Sequence, residues 1–218
     1  MVILIALLVT HISLLWCCYK KDYSILDLFW GPGIFFCSLY HYQDGYTEVG
    51  IFFMMVLGFW AFRLFTHLSL RKNIDPTQDF RYTIMQNNSK NFFSFYLKTF
   101  VLQALLMAVM AMPFCVLNKA PDNILTITCM LLAMVFALLE SVADFQLLEF
   151  KRRKIPGRLN TGLWKHLKKP NYFFEIAFWW AIGLAAAPLN IASLVAPWLI
   201  TYLILNLSGE QAFKNSQK

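Results

Sequence analysis

The sequence predicts an all-α polytopic membrane protein: seven transmembrane helices in one integral membrane domain over residues 1–218, N-terminus outside and C-terminus cytoplasmic. Three observations carry that expectation. The composition is 59% hydrophobic with a mean hydropathy of +0.54. Charged residues make up 14%, well below the share of about 25% in soluble chains. Apolar stretches long enough to cross a bilayer as helices, about 17 to 25 residues, recur along the chain. The net charge of +7 is expected to anchor loops on one side of a bilayer, with membrane lipids as neighbours and no nucleic-acid partner.

The first span, residues 2–19, ends in Trp16-Cys17-Cys18-Tyr19-Lys20-Lys21. It lacks a basic start and a small-residue cleavage site, so it is expected to stay as a helix. The second, 25–42, carries Asp27 near its start and Gly31-Pro32-Gly33, which should kink it. The third, 47–70, holds Arg63 and His67, and the fourth covers 96–117. The fifth, 123–150, contains Glu140 and Asp144, and spans at 171–188 and 190–208 complete the set.

The connecting segments sort by charge. Lys20 and Lys21, the stretch from Arg71 to Lys98, the cluster from Lys151 to Lys169, and Lys214 with Lys218 fall on one face, seventeen of the 19 basic residues. The positive-inside rule makes that face cytoplasmic. It also holds the two longest polar segments, 71–95 and 151–170, so any chemistry is expected to open there. Five cysteines without paired spacing indicate packing residues rather than disulfides, and four histidines on separate segments give no metal site. A bacterial inner membrane, or the endoplasmic reticulum in a eukaryote, is the expected location.

Polar residues inside the spans are the candidates for function, because an ionised side chain at a helix centre costs roughly 2.5 to 3.5 kcal/mol. In the fifth span Glu140, Asp144 and Lys151 fall at i, i+4 and i+11, within about 40° of one another on one helix face. They are either a ligand site or a network tethering helices. Arg63, His67 and Arg71 lie on adjoining turns of the third span. A guanidinium at that depth wants a carboxylate or a ligand anion, and Asp27 is one available partner. Asn171 and Glu175, also at i and i+4, follow Pro170 at the start of the sixth span. Eight Lys and Arg precede them, from Lys151 to Lys169. A helix start beneath that many cations suits a multiply phosphorylated cofactor such as NADPH. No Gly-x-Gly-x-x-Gly occurs, so a cofactor would have to sit among the helices.

The run from Asp144 through GLWKHLKKPNYFFEIAFWW resembles the C-terminal signature of the steroid 5α-reductase-like membrane reductases, including their DUF1295-like bacterial branch. DLFWG, the Arg63 and Arg71 pair, and QDFRY extend the resemblance over about 25–210. It implies a seven-helix bundle in which NADPH reduces an activated C=C of a lipophilic, sterol-like or lipid substrate, with the cofactor-binding half at about 140–210. Asp144 and Lys151 would contact the adenosine-phosphate part. Asn171 and Glu175 would hold the nicotinamide carboxamide, and Asp79, Arg81 and Tyr82 would line the cytoplasmic rim. Arg63, Arg71, Glu140, Trp164, Lys168 and Tyr172 complete the implied cofactor contacts.

The proton donor is left unassigned, since Trp60 stands at the family's Tyr position. Phe174 replaces a usual Gly, and Lys218 precedes the family's Tyr-rich tail. Two other classes share features of this pattern. Isoprenylcysteine-methyltransferase-like enzymes, which bind S-adenosylmethionine, have the Pro-x-Tyr turn and a following Glu. A catalytically inactive or structural membrane protein would use the charges to fix helix packing.

Overall fold

The computed structural model describes residues 1–154 and 156–207, and the regular structure among them is all helical. Helix α1 (Val2–Lys20) ends on Lys21 in the left-handed conformation (φ 56°). A 3-10 segment, Tyr23–Phe29, leads into α2 (Trp30–Leu39), which another 3-10 turn, Tyr40–Asp44, continues. Helix α3 (Glu48–Ile74) is capped by the Thr47 side chain, which accepts from Gly50 N. Short helices α4 (Phe80–Asn87) and α5 (Phe92–Tyr96) follow. A π turn, Leu97–Val101, joins α5 to α6 (Leu102–Met110), and α7 is Phe114–Leu117. The remaining helices are α8 (Ile124–Arg152), α9 (Leu163–His166), α10 (Pro170–Ala186) and α11 (Val195–Leu207), the last preceded by a 3-10 turn, Ile191–Leu194.

Among the described residues, four stretches are long and apolar enough to cross a membrane: Val2–Lys20, Glu48–Ile74, Phe92–Leu117 and Ile124–Arg152. Their outward faces present large apolar side chains such as Leu4, Leu8, Phe62 and Phe145, each at least 60% exposed. Water would not tolerate so much exposed apolar surface, whereas lipid does. This is a chain built for a membrane.

The expected kink at Gly31-Pro32-Gly33 is not where the second segment changes. The backbone passes from 3-10 to α geometry at Phe29 and Trp30, and all three residues lie in the first turn of α2. The missing Pro32 N–H is one that a helix start leaves unpaired anyway, so the proline begins the helix rather than breaking it.

Hydrogen bonds sort the connections to two ends. At one, Lys72 Nζ reaches Asp22 at 2.6 Å and Tyr23 N donates to Gln78 Oε1 at 3.0 Å. The loop after α8 folds back at the same end, where Lys151 has Arg71 and Asp75 as charged neighbours. At the other end, Thr47 N donates to Asn118 O at 2.8 Å and Asn118 Nδ2 to His41 O at 2.8 Å. The longest polar segments therefore share one end of the bundle. Lys214 and Lys218, assigned to that end by sequence, lie outside the described residues.

Helix α10 packs most extensively on α8 and also meets α11. Its buried face runs Phe174, Glu175, Phe178, Trp179, Ile182 and Ala186, and α8 brings the small buried residues Ala133 and Ala137 to the same core. Small side chains let two helix backbones approach closely where lipid offers no hydrophobic drive for association.

Candidate functional site

Where α3, α8 and α10 meet, four ionisable side chains close on one another inside the bundle. Arg63 of α3 is 8% exposed, and Glu140 and Asp144 of α8 are 3% and 5% exposed. Arg63 Nη2 lies 2.7 Å from Glu140 Oε1, and Nη1 lies 2.6 Å from Asp144 Oδ2. The same Nη2 is 3.5 Å from Glu175 Oε2 on α10. The i, i+4 spacing of Glu140 and Asp144 puts both on the face of α8 that looks toward α3 and α10, and a planar guanidinium can take a carboxylate on each prong.

Two tryptophans finish the cluster. Trp60 Nε1 donates to Glu175 Oε2 and Trp179 Nε1 to Glu175 Oε1, each at 3.0 Å. Asn171 Nδ2 donates to Asp144 Oδ1 at 3.2 Å, and His67 Nε2 lies 3.7 Å from the same oxygen. Trp60 stacks on Phe178 and meets Trp179 edge to face, which closes the apolar side of the cluster. Two polar atoms stay without a hydrogen-bond partner, Arg63 Nε and Glu140 Oε2.

The structure therefore brings Arg63, Glu140, Asp144, Asn171 and Glu175 together. It corrects two expectations from the sequence. Asp27 is not the partner of Arg63, because it sits with Arg81 and Tyr82 instead. Lys151 does not join Glu140 and Asp144 in a buried stripe; it is exposed in the last turn of α8. Two turns separate Lys151 from Asp144, enough to carry it out of the bundle. Arg71 is exposed near it. Tyr172 is half-buried outside the cluster, with the Lys169 ammonium 4.9 Å above its ring. Both Glu175 oxygens accept from indoles, and the Asn171 amide nitrogen donates to Asp144.

Trp60 and Trp179 were not singled out as partners of Glu175 from sequence. Trp179 stands four residues after Glu175 and Trp60 three before Arg63, both helix-neighbour spacings, so the signal was present as pattern without a known facing helix.

Asp79, Arg81 and Tyr82 form a separate polar tie at the loop end. Arg81 Nη2 is 2.9 Å from Asp27 Oδ2, and Arg81 Nε is 3.0 Å from Asp79 Oδ1. Tyr82 Oη donates to Asp27 Oδ1 at 2.5 Å and accepts from Gln103 Nε2 at 3.3 Å. Burial acts against the Asp79 charge, but the bonded Arg81 outweighs it and holds the carboxyl below the usual aspartate value. Burial, then the Asp27 charge, pushes the Tyr82 hydroxyl well up, so it remains a donor at neutral pH. The tie clips α4 onto the start of the second segment.

Two clefts open among the loops at this end. One, of about 560 Å³, is lined by Cys18, Lys21, Tyr23, Gln78 and Gln86. The other, of about 500 Å³, is lined by Arg158, Asn160, Trp164, Lys165, His166, Leu167 and Lys168. The second is tied to the helix that bears the cluster, since Trp164 Nε1 donates to Ala143 O at 3.0 Å, beside Asp144. Gly162, at φ 59°, begins this turn in a conformation that L side chains rarely adopt, with the Gln146 side chain filling the space a Cβ would need. Lys168 stands three residues before Asn171, so the basic cleft and the buried cluster meet at the start of α10.

No curated protein and no solved structure matches the chain. A family described as a protein of unknown function (DUF1295) matches residues 14–218. With nearly the whole chain matched, including the α3, α8 and α10 residues of the cluster, the protein belongs to the DUF1295 family.

Proposed function

We propose that this chain is a membrane-embedded reductase that uses NADPH to saturate an activated C=C bond, an enone or enoyl group, in a lipophilic substrate. The observation that carries the reading is the basic cleft at the start of α10. Arg158, Lys165 and Lys168 supply three cations, and Trp164 offers an indole for stacking, in about 500 Å³. That is a volume and a donor set suited to the phosphate-bearing end of a dinucleotide. Asn171, next along the chain and bonded to Asp144, would meet the carboxamide. When bound, NADPH supplies the hydride. Arg63, Glu140, Asp144 and Glu175 would hold fixed charge beside the reacting end, and Trp60, Phe178 and Trp179 would exclude water from it.

The matching topology is seven crossings with the loop end in the cytoplasm. The second segment, α10 and the apolar helix of 191–206 would supply the crossings beyond the four long stretches. The likeness to steroid 5α-reductases belongs to the same proposal.

A second reading is favoured by a specific observation: Arg63 is already paired with three carboxyl groups of its own chain. On that reading the cluster only ties α3, α8 and α10 together in a non-catalytic membrane protein. Binding separates the two. NADPH titrated into the detergent-solubilised protein should bind more tightly than NADH or S-adenosylmethionine, and Lys165→Ala and Lys168→Ala should each weaken it severalfold. Equal affinity in both variants and the parent chain would overturn the assignment of the cleft. Preference for S-adenosylmethionine would turn the reading to a methyltransferase.

A further inference from the structure

Arg63 brings one positive charge to three carboxyl groups, so the cluster cannot be neutral with all of them ionised. Glu140 Oε1 and Glu175 Oε2 converge on the same nitrogen, Arg63 Nη2, at 2.7 and 3.5 Å. Glu140 is 3% exposed, yet its Oε2 has no partner among the protein's donors. Two carboxylates are both acceptors, and a contact between them becomes a hydrogen bond only when one carries a proton. A buried, unpaired carboxylate oxygen is costly, and a second negative charge beside it costs more.

We propose that Glu140 and Glu175 share a single proton, making the centre of the bundle a proton-loading site. The other titratable and charged groups facing it are Arg63 and His67 from α3 and Asp144 from α8, with Arg71 and Lys151 further toward the loop end. Asp144 pairs with Arg63 at 2.6 Å and receives the Asn171 amide, so it is satisfied as an anion and leaves the proton to the Glu pair. Asp144 and His67, 3.7 Å apart, lie between the pair and the loop end. They give the proton its side of exchange.

The existence of this proton does not depend on the reductase reading, but its use does. Adding hydrogen across a C=C takes one hydride and one proton. With the hydride donated by NADPH, which leaves as NADP⁺, the Glu pair would give up its proton and be reloaded from the loop end.

Infrared spectroscopy of the solubilised protein without nucleotide tests the claim. At neutral pH the wild-type chain should show the carbonyl-stretch band of one protonated carboxyl group, shifting in D₂O. Glu140→Gln and Glu175→Gln should each lose the band, whereas Asp144→Asn should keep it. Should either Gln variant fail to fold, the wild-type spectrum and the other variant still decide. No such band in the wild type, or a band untouched in the Gln variants, would overturn the shared proton. Failure of NADPH to bind would leave the band in place and sink only the reductase reading.

Discussion

Arg63 is the side chain on which the buried cluster depends, because three carboxyl groups from two helices reach it and no other residue described in the cluster carries a permanent positive charge. Truncating it leaves buried carboxylates without their cation, whereas exchanging it for lysine keeps a charge but loses the planar fork. Arg63→Ala is expected to destabilise the folded protein by about 3 to 5 kcal/mol. Arg63→Lys should fall between it and the wild type. Thermal unfolding in detergent measures both, and an Arg63→Ala protein as stable as the parent would show that the cluster is not a structural tie. At this scale much was legible: the i, i+4 pairs Glu140 with Asp144 and Asn171 with Glu175 name four of the five residues that the structure brings together. The identity of the cation's partner was not. Periodicity tells which face of a helix a residue occupies, but not which helix that face meets, so Asp27 and the α8 carboxylates were equal candidates for Arg63 until the packing was known.

Helix starts and close approaches set the geometry at the next scale. The apolar segments were readable because lipid crossing demands length and hydrophobicity, and α1, α3 and α8 fall where expected. The 3-10 stretch Tyr23–Phe29 and the π turn Leu97–Val101 were not readable, since they arise from packing rather than from any residue pattern. One close approach yields a sharp test. A Cβ added to Gly50 of α3 would overlap the carbonyl of Asn118, which is backbone and cannot swing aside. A Cβ at Gly58 would instead press on the Phe35 ring at 3.1 Å, a side chain that can give. Gly50→Ala should therefore cost about 1 to 3 kcal/mol, with Gly58→Ala well below it. Equal unfolding temperatures for the two variants would mean that the α3 and Asn118 backbones are not held at this separation.

For the molecule as a whole, sequence charge and three-dimensional contacts agree on one point: the segments rich in Lys and Arg gather at one end. Lys72 bonded to Asp22 and the proximity of Lys151 to Arg71 and Asp75 bring the loops after α1, α3 and α8 together. What charge counting could not reveal is that the loop 156–169 folds into a cleft, because its shape depends on Gln146 and Ala143 of α8 receiving it. The cleft is open to the polar end, while the cluster is sealed among helices, and α10 begins between them. A ligand seated across that junction would hold the loop, α8 and α10 in one arrangement, and a ligand that binds only the folded state raises its stability. The most direct measurement is the unfolding temperature of the purified full chain in detergent with NADPH, NADH or S-adenosylmethionine at equal concentrations. A rise with NADPH that exceeds the other two, and that Asn171→Ala removes, is the expected result; an unfolding temperature indifferent to all three ligands would contradict it.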